Sequence, residues 1–109
     1  IDDGQYYKIG PVDGYEQYEW ELTHTPTEGE SSDFSWNVLM MTEANCDQYE
    51  SGNSYLYLVE PSWKSMDSSG SKGPFTFDSS ENYCLIIDNW RDNENSDSLR
   101  FRIQFFGWK

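Results

Sequence analysis

The stretch "SLRFRIQFF", residues 98–106, decides the fold. In an extended chain Leu99, Phe101, Ile103 and Phe105 fall on one side and Arg100, Arg102 and Gln104 on the other. That is the period of two that a strand with one buried face requires.

The same alternation recurs upstream. "NYCLIID" (82–88) aligns Tyr83, Leu85 and Ile87, and "YEQYEWELTHT" (15–25) sets Tyr18, Trp20, Leu22 and His24 against Glu19, Glu21 and Thr23. "FSWNVLMMT" (34–42) puts Phe34, Trp36, Val38 and Met40 on one face. Its second half is apolar on the other face as well, through Leu39 and Met41, which predicts a central or doubly covered strand.

"SYLYLVEP" (54–61) reads as a strand that stops at Pro61, whose ring removes a ladder donor. A short strand around Trp63 to Met66, an exposed hairpin tip at "DSSGSKG" (67–73) and a strand with Phe75 and Phe77 facing together follow. "EANCDQYESGN" (43–53) reads as a turn-rich connection, and no stretch shows helical periodicity long enough to matter. Six to eight strands at near-regular spacing predict an all-β fold: a single antiparallel β-sandwich domain over residues 1–109. The opening "GQYYKIG" is a candidate edge strand. The longer segment "IDDGQYYKIGPVDG" (1–14), bounded by Gly4, Gly10 and Pro11, could also serve as a donor to another chain's sheet.

The net charge of −13, from 20 acidic and 7 basic residues, opposes binding to nucleic acid or anionic membranes. An aromatic content of 17% separates the chain from disordered acidic tails. No apolar run is long enough to span a bilayer, and "IDDGQYYKIG" reads as the start of a processed chain rather than a signal peptide. Cys46 and Cys84, an even number in an acidic, aromatic-rich chain, point to one disulfide and an oxidising compartment, hence a secreted or cell-surface location.

"SYLYLVEP", "PFTF", "NYCLIIDN" and the final alternating strand together resemble the secreted, jelly-roll-like pre-peptidase C-terminal domains of bacteria and archaea, and more loosely the Golgi-dynamics domains. In those families a "Y-hydrophobic-Y" strand leads through a hairpin to an "F-x-F" strand, an aromatic strand ending in Asp-Asn, a polar loop and a last strand. This chain departs from them at Glu81 and Asn82, where they place glycine. The resemblance implies a jelly-roll-like, non-catalytic extracellular module and carries over no catalytic residue.

Three sets of candidate site residues stand out. Asp88, Asp92, Asn93, Glu94 and Asp97, in "DNWRDNENSD" (88–97), offer the hard oxygens that calcium prefers, although the EF-hand order fails for want of its glycine, and a solvated loop explains the same letters. Trp63, Trp90 and Trp108 lie in or beside expected turns, where their rings could stack on a polysaccharide or merely cap the sandwich. His24 is the only histidine, so any histidine-dependent triad must use it, and its strand face marks it as a core or rim residue. No Cys/His metal cluster, P-loop or GxSxG phrase occurs. The first expectation is a non-catalytic module for protein contact, self-assembly included. Carbohydrate binding is the alternative.

Overall fold

The computed structural model describes residues 1–2, 4–12, 15–78, 80–89 and 97–108. It is an all-β sandwich of seven strands and one short helix. The order is β1 (Tyr6–Val12), β2 (Gln17–His24), β3 (Trp36–Thr42), α1 (Glu43–Glu50), β4 (Leu58–Met66), β5 (Gly70–Thr76), β6 (Tyr83–Asp88) and β7 (Phe101–Trp108). The strands form a four-stranded sheet, β1-β6-β3-β4, and a three-stranded sheet, β5-β2-β7, with antiparallel pairing throughout.

Alternation places the core as the sequence predicts. Tyr18, Trp20 and Leu22 of β2 pack against Trp36, Val38 and Met40 of β3 and against Tyr83, Leu85 and Ile87 of β6, with Phe101, Ile103 and Phe105 of β7 closing over the side. The core is rich in aromatic rings: Tyr18 meets Tyr83 and Phe105 edge-on, with ring centroids 5.5 and 5.6 Å apart. Trp20 reaches across to the other sheet, its indole N–H donating to the Pro61 carbonyl at 2.6 Å. That contact satisfies the one polar atom of a fully buried ring.

β3 and β6 are apolar on both faces, and the structure supplies a second cover. Leu39, Met41, Cys84 and Ile86 form an outer cluster beneath α1, with Cys46 and partly buried Tyr49, Tyr55 and Tyr57. The helix corrects the expectation that residues 43–53 are only a turn. Thr42 caps its N-terminus through Asn45 N–H, and Glu43 sits in its first turn, where the dipole favours an acid. Its eight residues bury only Cys46 fully, too few apolar positions to print a helical period. The Cys46–Cys84 disulfide then bolts the helix to the sheet.

Two boundaries differ from the sequence reading for one reason each. The segments expected on either side of Pro61 are a single strand, β4, because β4 is a sheet edge where a missing N–H costs little. The hairpin tip shrinks to Asp67–Ser69, and Gly70–Gly73 enter β5, since serine and glycine are tolerated on an edge strand lying under Trp63.

Among the described residues no helix is long and apolar enough to cross a membrane. The loop closed by the disulfide separates its cysteines by 38 residues, for which chain entropy gives about 4 kcal/mol at most. Cys46→Ser with Cys84→Ser should therefore lower the thermal midpoint by many degrees, and exchange should rise first in α1, as amide exchange with mass detection would show.

Candidate functional site

The outer face of the three-stranded sheet is open. Register on β2 and β7 pairs Gln17 with Trp108, Glu19 with Phe106, Glu21 with Gln104 and Thr23 with Arg102, so these eight side chains share that face. Phe106 and Trp108 are 41% and 42% exposed, and their rings stack with centroids 6.0 Å apart and planes 28° apart. Beyond them Glu21, Thr23, Arg102 and Gln104 line a shallow cleft of about 190 Å³.

The same strand forms an unusual edge. Thr25 N–H donates to the Arg100 carbonyl at 2.9 Å and Glu16 N–H to the Trp108 carbonyl at 2.8 Å, so the even-numbered residues of this strand turn their main chain toward β2. In an antiparallel ladder the alternate residues point the other way. Phe101, Ile103, Phe105 and Gly107 thus present N–H and C=O groups at an edge where no strand lies among the described residues. Leu99, the previous residue in that series, already pairs there: it exchanges hydrogen bonds with Ile1 at 2.7 and 2.8 Å.

The other three edges are blunted. β1, β4 and β5 contain Pro11, Pro61 and Pro74, and Lys8, Lys64 and Lys72 respectively. Each also carries a register shift, and β4 carries two. In β4 the interrupted ladder is patched by side chains, with Met40 N–H donating to Ser62 Oγ and Ser65 N–H to Asn37 Oδ1, both at 2.9 Å. At the bulges of β1 and β5, Gly10 and Gly73 have positive φ and lie so close to the neighbouring strand that a Cβ would fall 2.9 Å from the Tyr83 carbonyl and 2.8 Å from the Tyr18 carbonyl. β7 has no proline and no lysine, and it keeps eight consecutive register pairs with β2. Proline, lysine and bulges are the devices by which sheet edges are kept from pairing with other chains.

The sequence-predicted residues disperse. Trp108 lies on the open face. Trp63 lies in β4, partly buried beside Trp20, with the Lys72 ammonium 5.2 Å from its ring centroid. Trp90 lies outside the described residues. So do Asp92, Asn93 and Glu94, and the structure turns the remaining two acids of that set in different directions. Asp88 accepts from the Tyr49 hydroxyl on the α1 side, while Asp97 accepts from Ser31 N–H at 3.2 Å. Among the described residues no three His, Cys, Asp or Glu side chains are grouped to hold a metal.

His24 sits at the rim of the core, its ring 4.6 Å from that of Trp36, and its Nε2 lies 3.0 Å from Glu30 Oε1. Glu30 also accepts from Thr27 N–H, so the pair ties the 25–35 loop to the end of β2. A polar cleft of about 500 Å³ lies beside it, lined in part by Thr27, Ser31, Asp67 and Ser69. The opening segment pairs within its own chain, Tyr6 to Ile9 of β1 lying opposite Asp88 to Leu85 of β6.

Sequence reading missed Asn89. It is fully buried, its amide donates to the Asp97 carbonyl at 2.7 Å and to the Ile1 carbonyl at 3.3 Å, and it seats Ile1 against the start of the open edge. Its place at the end of an apolar strand, before a polar loop, was the available signal.

No protein-family model matches the chain, and neither the curated proteins nor the solved structures contain a significant match to it.

Burial holds the Asp88 carboxyl above the usual carboxylate range, against the opposing effect of the Tyr49 hydroxyl, and Tyr49 itself is raised by burial and by Asp88. A carboxyl with a raised folded-state pKa binds its proton more tightly in the native state, so stability falls as pH climbs from the ordinary carboxylate value through the raised one. Asp88→Asn, which retains an acceptor for Tyr49, should melt higher than the parent at pH 7. The difference should close below about pH 4, where the unfolded carboxyl is also protonated.

Proposed function

We propose that the chain is a non-catalytic, extracellular β-sandwich module that makes protein contacts by accepting a strand along β7. The observation that carries this reading is the contrast between edges: three carry proline, lysine and register shifts, while β7 carries none of these. An open ladder gives affinity through main-chain bonds, and the alternate side chains beside it give specificity. Ile1 already makes the first exchanged pair on that edge. The disulfide is compatible with an oxidising compartment, and a module of this kind is what the resemblance to secreted pre-peptidase domains implies.

A neutral eight-residue peptide of alternating Thr and Val is a suitable probe strand. At saturating peptide, amide exchange at Phe101, Ile103, Phe105 and Gly107 should slow by roughly tenfold or more, and that at Arg102, Gln104 and Phe106 should hold steady because those groups already face β2. Protection confined to β1, β4 or β5, or found nowhere, would sink the strand-acceptor reading.

Carbohydrate binding is the second reading, favoured by the exposed Phe106–Trp108 stack beside the cleft of Glu21, Thr23, Arg102 and Gln104. Flat rings with flanking donors and acceptors suit a pyranose chain. If that reading is right, affinity electrophoresis through neutral polysaccharide gels should show retardation, and Trp108→Ala should weaken it roughly tenfold, equivalent to about 1.4 kcal/mol. Equal mobility in gels with and without polysaccharide would remove it.

A further inference from the structure

We infer that the strand laid along β7 is the β7 of a second copy of this chain, related by a two-fold axis through Gln104; this rests on the strand-acceptor reading. The register follows from which groups are open. With the axis at Gln104, Phe101 and Ile103 of one copy lie opposite Gly107 and Phe105 of the second copy, and the reverse, so every open main-chain group of the β7 edge gains a partner. Moving the axis to Ile103 sets Gly107 opposite Leu99, whose main chain Ile1 already occupies.

Side chains agree with this register on both faces. On the inner face Phe101 meets Gly107, whose missing side chain leaves room for the Tyr15 ring of its own chain, so Phe101 faces that ring, while Ile103 meets Phe105 in an aliphatic–aromatic pair. On the outer face Arg102 meets Phe106, and Arg100, which continues the same alternation, meets Trp108. Each places a guanidinium against an exposed ring. Arg100 and Arg102 are exposed and make no ion pair among the described residues, despite the chain's 20 acids. Gln104 meets Gln104, two neutral amides that can hydrogen-bond each other.

Net charge sets the conditions. Two copies at −13 repel at low ionic strength, and the short-range ladder prevails once salt screens that repulsion. Association should therefore strengthen as sodium chloride rises, opposite to a contact held by charge attraction.

The test is a charge swap at the axis, on the whole chain, read by sedimentation equilibrium. Gln104 is exposed, so Gln104→Lys and Gln104→Glu should fold with unchanged circular dichroism. The parent should reach twice the 12.8 kDa chain mass in high salt. Each variant alone should dissociate at least tenfold more readily, since like charges then sit directly opposite one another. Mixing the two in equal amounts should restore the dimer, because Lys then faces Glu.

A parent that stays monomeric in high salt at the highest soluble concentration would overturn the proposal. So would variants that dimerise as well as the parent, or a mixture that fails to regain the dimer. Should the Thr/Val peptide protect the β7 edge while the parent stays monomeric, strand acceptance stands and the second copy as occupant is overturned. Should the peptide give no protection either, both fail.

Discussion

Everything in this molecule is arranged around the pairing of β3 with β6. Six consecutive residues, Asn37 to Thr42, lie opposite Asp88 to Tyr83, and both strands are apolar on both faces. A ladder with two greasy faces needs two covers. The inner cover is the three-stranded sheet, whose Tyr18, Trp20 and Leu22 meet Val38, Met40, Leu85 and Ile87. The outer cover is too small for a second sheet. The eight residues of α1, Tyr49 among them, with Tyr55 and Tyr57 suffice there, and a disulfide holds a helix that would not persist by itself at that length. Asp88 marks where this outer cluster meets water, and its raised pKa is the electrostatic trace of being half under the cover.

Filling the middle of one sheet with β3 and β6 sends β1 and β4 to its edges, and a three-stranded partner has two edges of its own. Neither sheet closes on itself, so four strands each stand at an edge. Three are spoiled as templates by local chemistry: a ring that removes a donor, a bulge that breaks the spacing, an ammonium that resists burial. Spending none of these on β7 leaves one template intact. Its distinguishing property is an absence of guards, visible only once the strands are placed and the edges compared.

The architecture was legible because period-two alternation is set by the same burial that builds the core. Leu99, Phe101, Ile103 and Phe105 therefore announced their face, as did Tyr18, Trp20 and Leu22. Helix α1 left no such mark, since one buried cysteine and one tyrosine do not make a period, although Thr42 followed by Glu43 was a readable start. Pro61 misled because proline ends a central strand, and whether a strand is central is a property of topology rather than of local letters. That misplaced boundary also left Trp63 at the start of a short strand beside an expected turn, whereas it lies within the longer β4 and packs against the core. For the site, Trp108 was legible and the β7 edge was not. Edge status depends on which strands pair, and no local pattern encodes that. Asn89 stood at a legible place, the end of an apolar strand before a polar loop, but its role depends on the folded chain bringing the distant Ile1 to the amide that also holds Asp97.

The acid surplus and the open edge belong to one design. A sandwich with an unguarded ladder is exposed to indiscriminate pairing, and a charge of −13 keeps copies apart whenever the Debye length is long. At about 0.15 M salt that length falls to about 8 Å, so repulsion between whole molecules fades while contacts within a few ångströms persist. Selectivity then passes to local chemistry. Along β7 and the residue pair before it that chemistry is Arg100, Arg102 and two exposed rings, with no acid between Leu99 and Trp108, on a chain where acids outnumber bases by 20 to 7. Long-range charge thus decides when the edge can be approached. Short-range rings, guanidinium groups and open main chain decide what can stay.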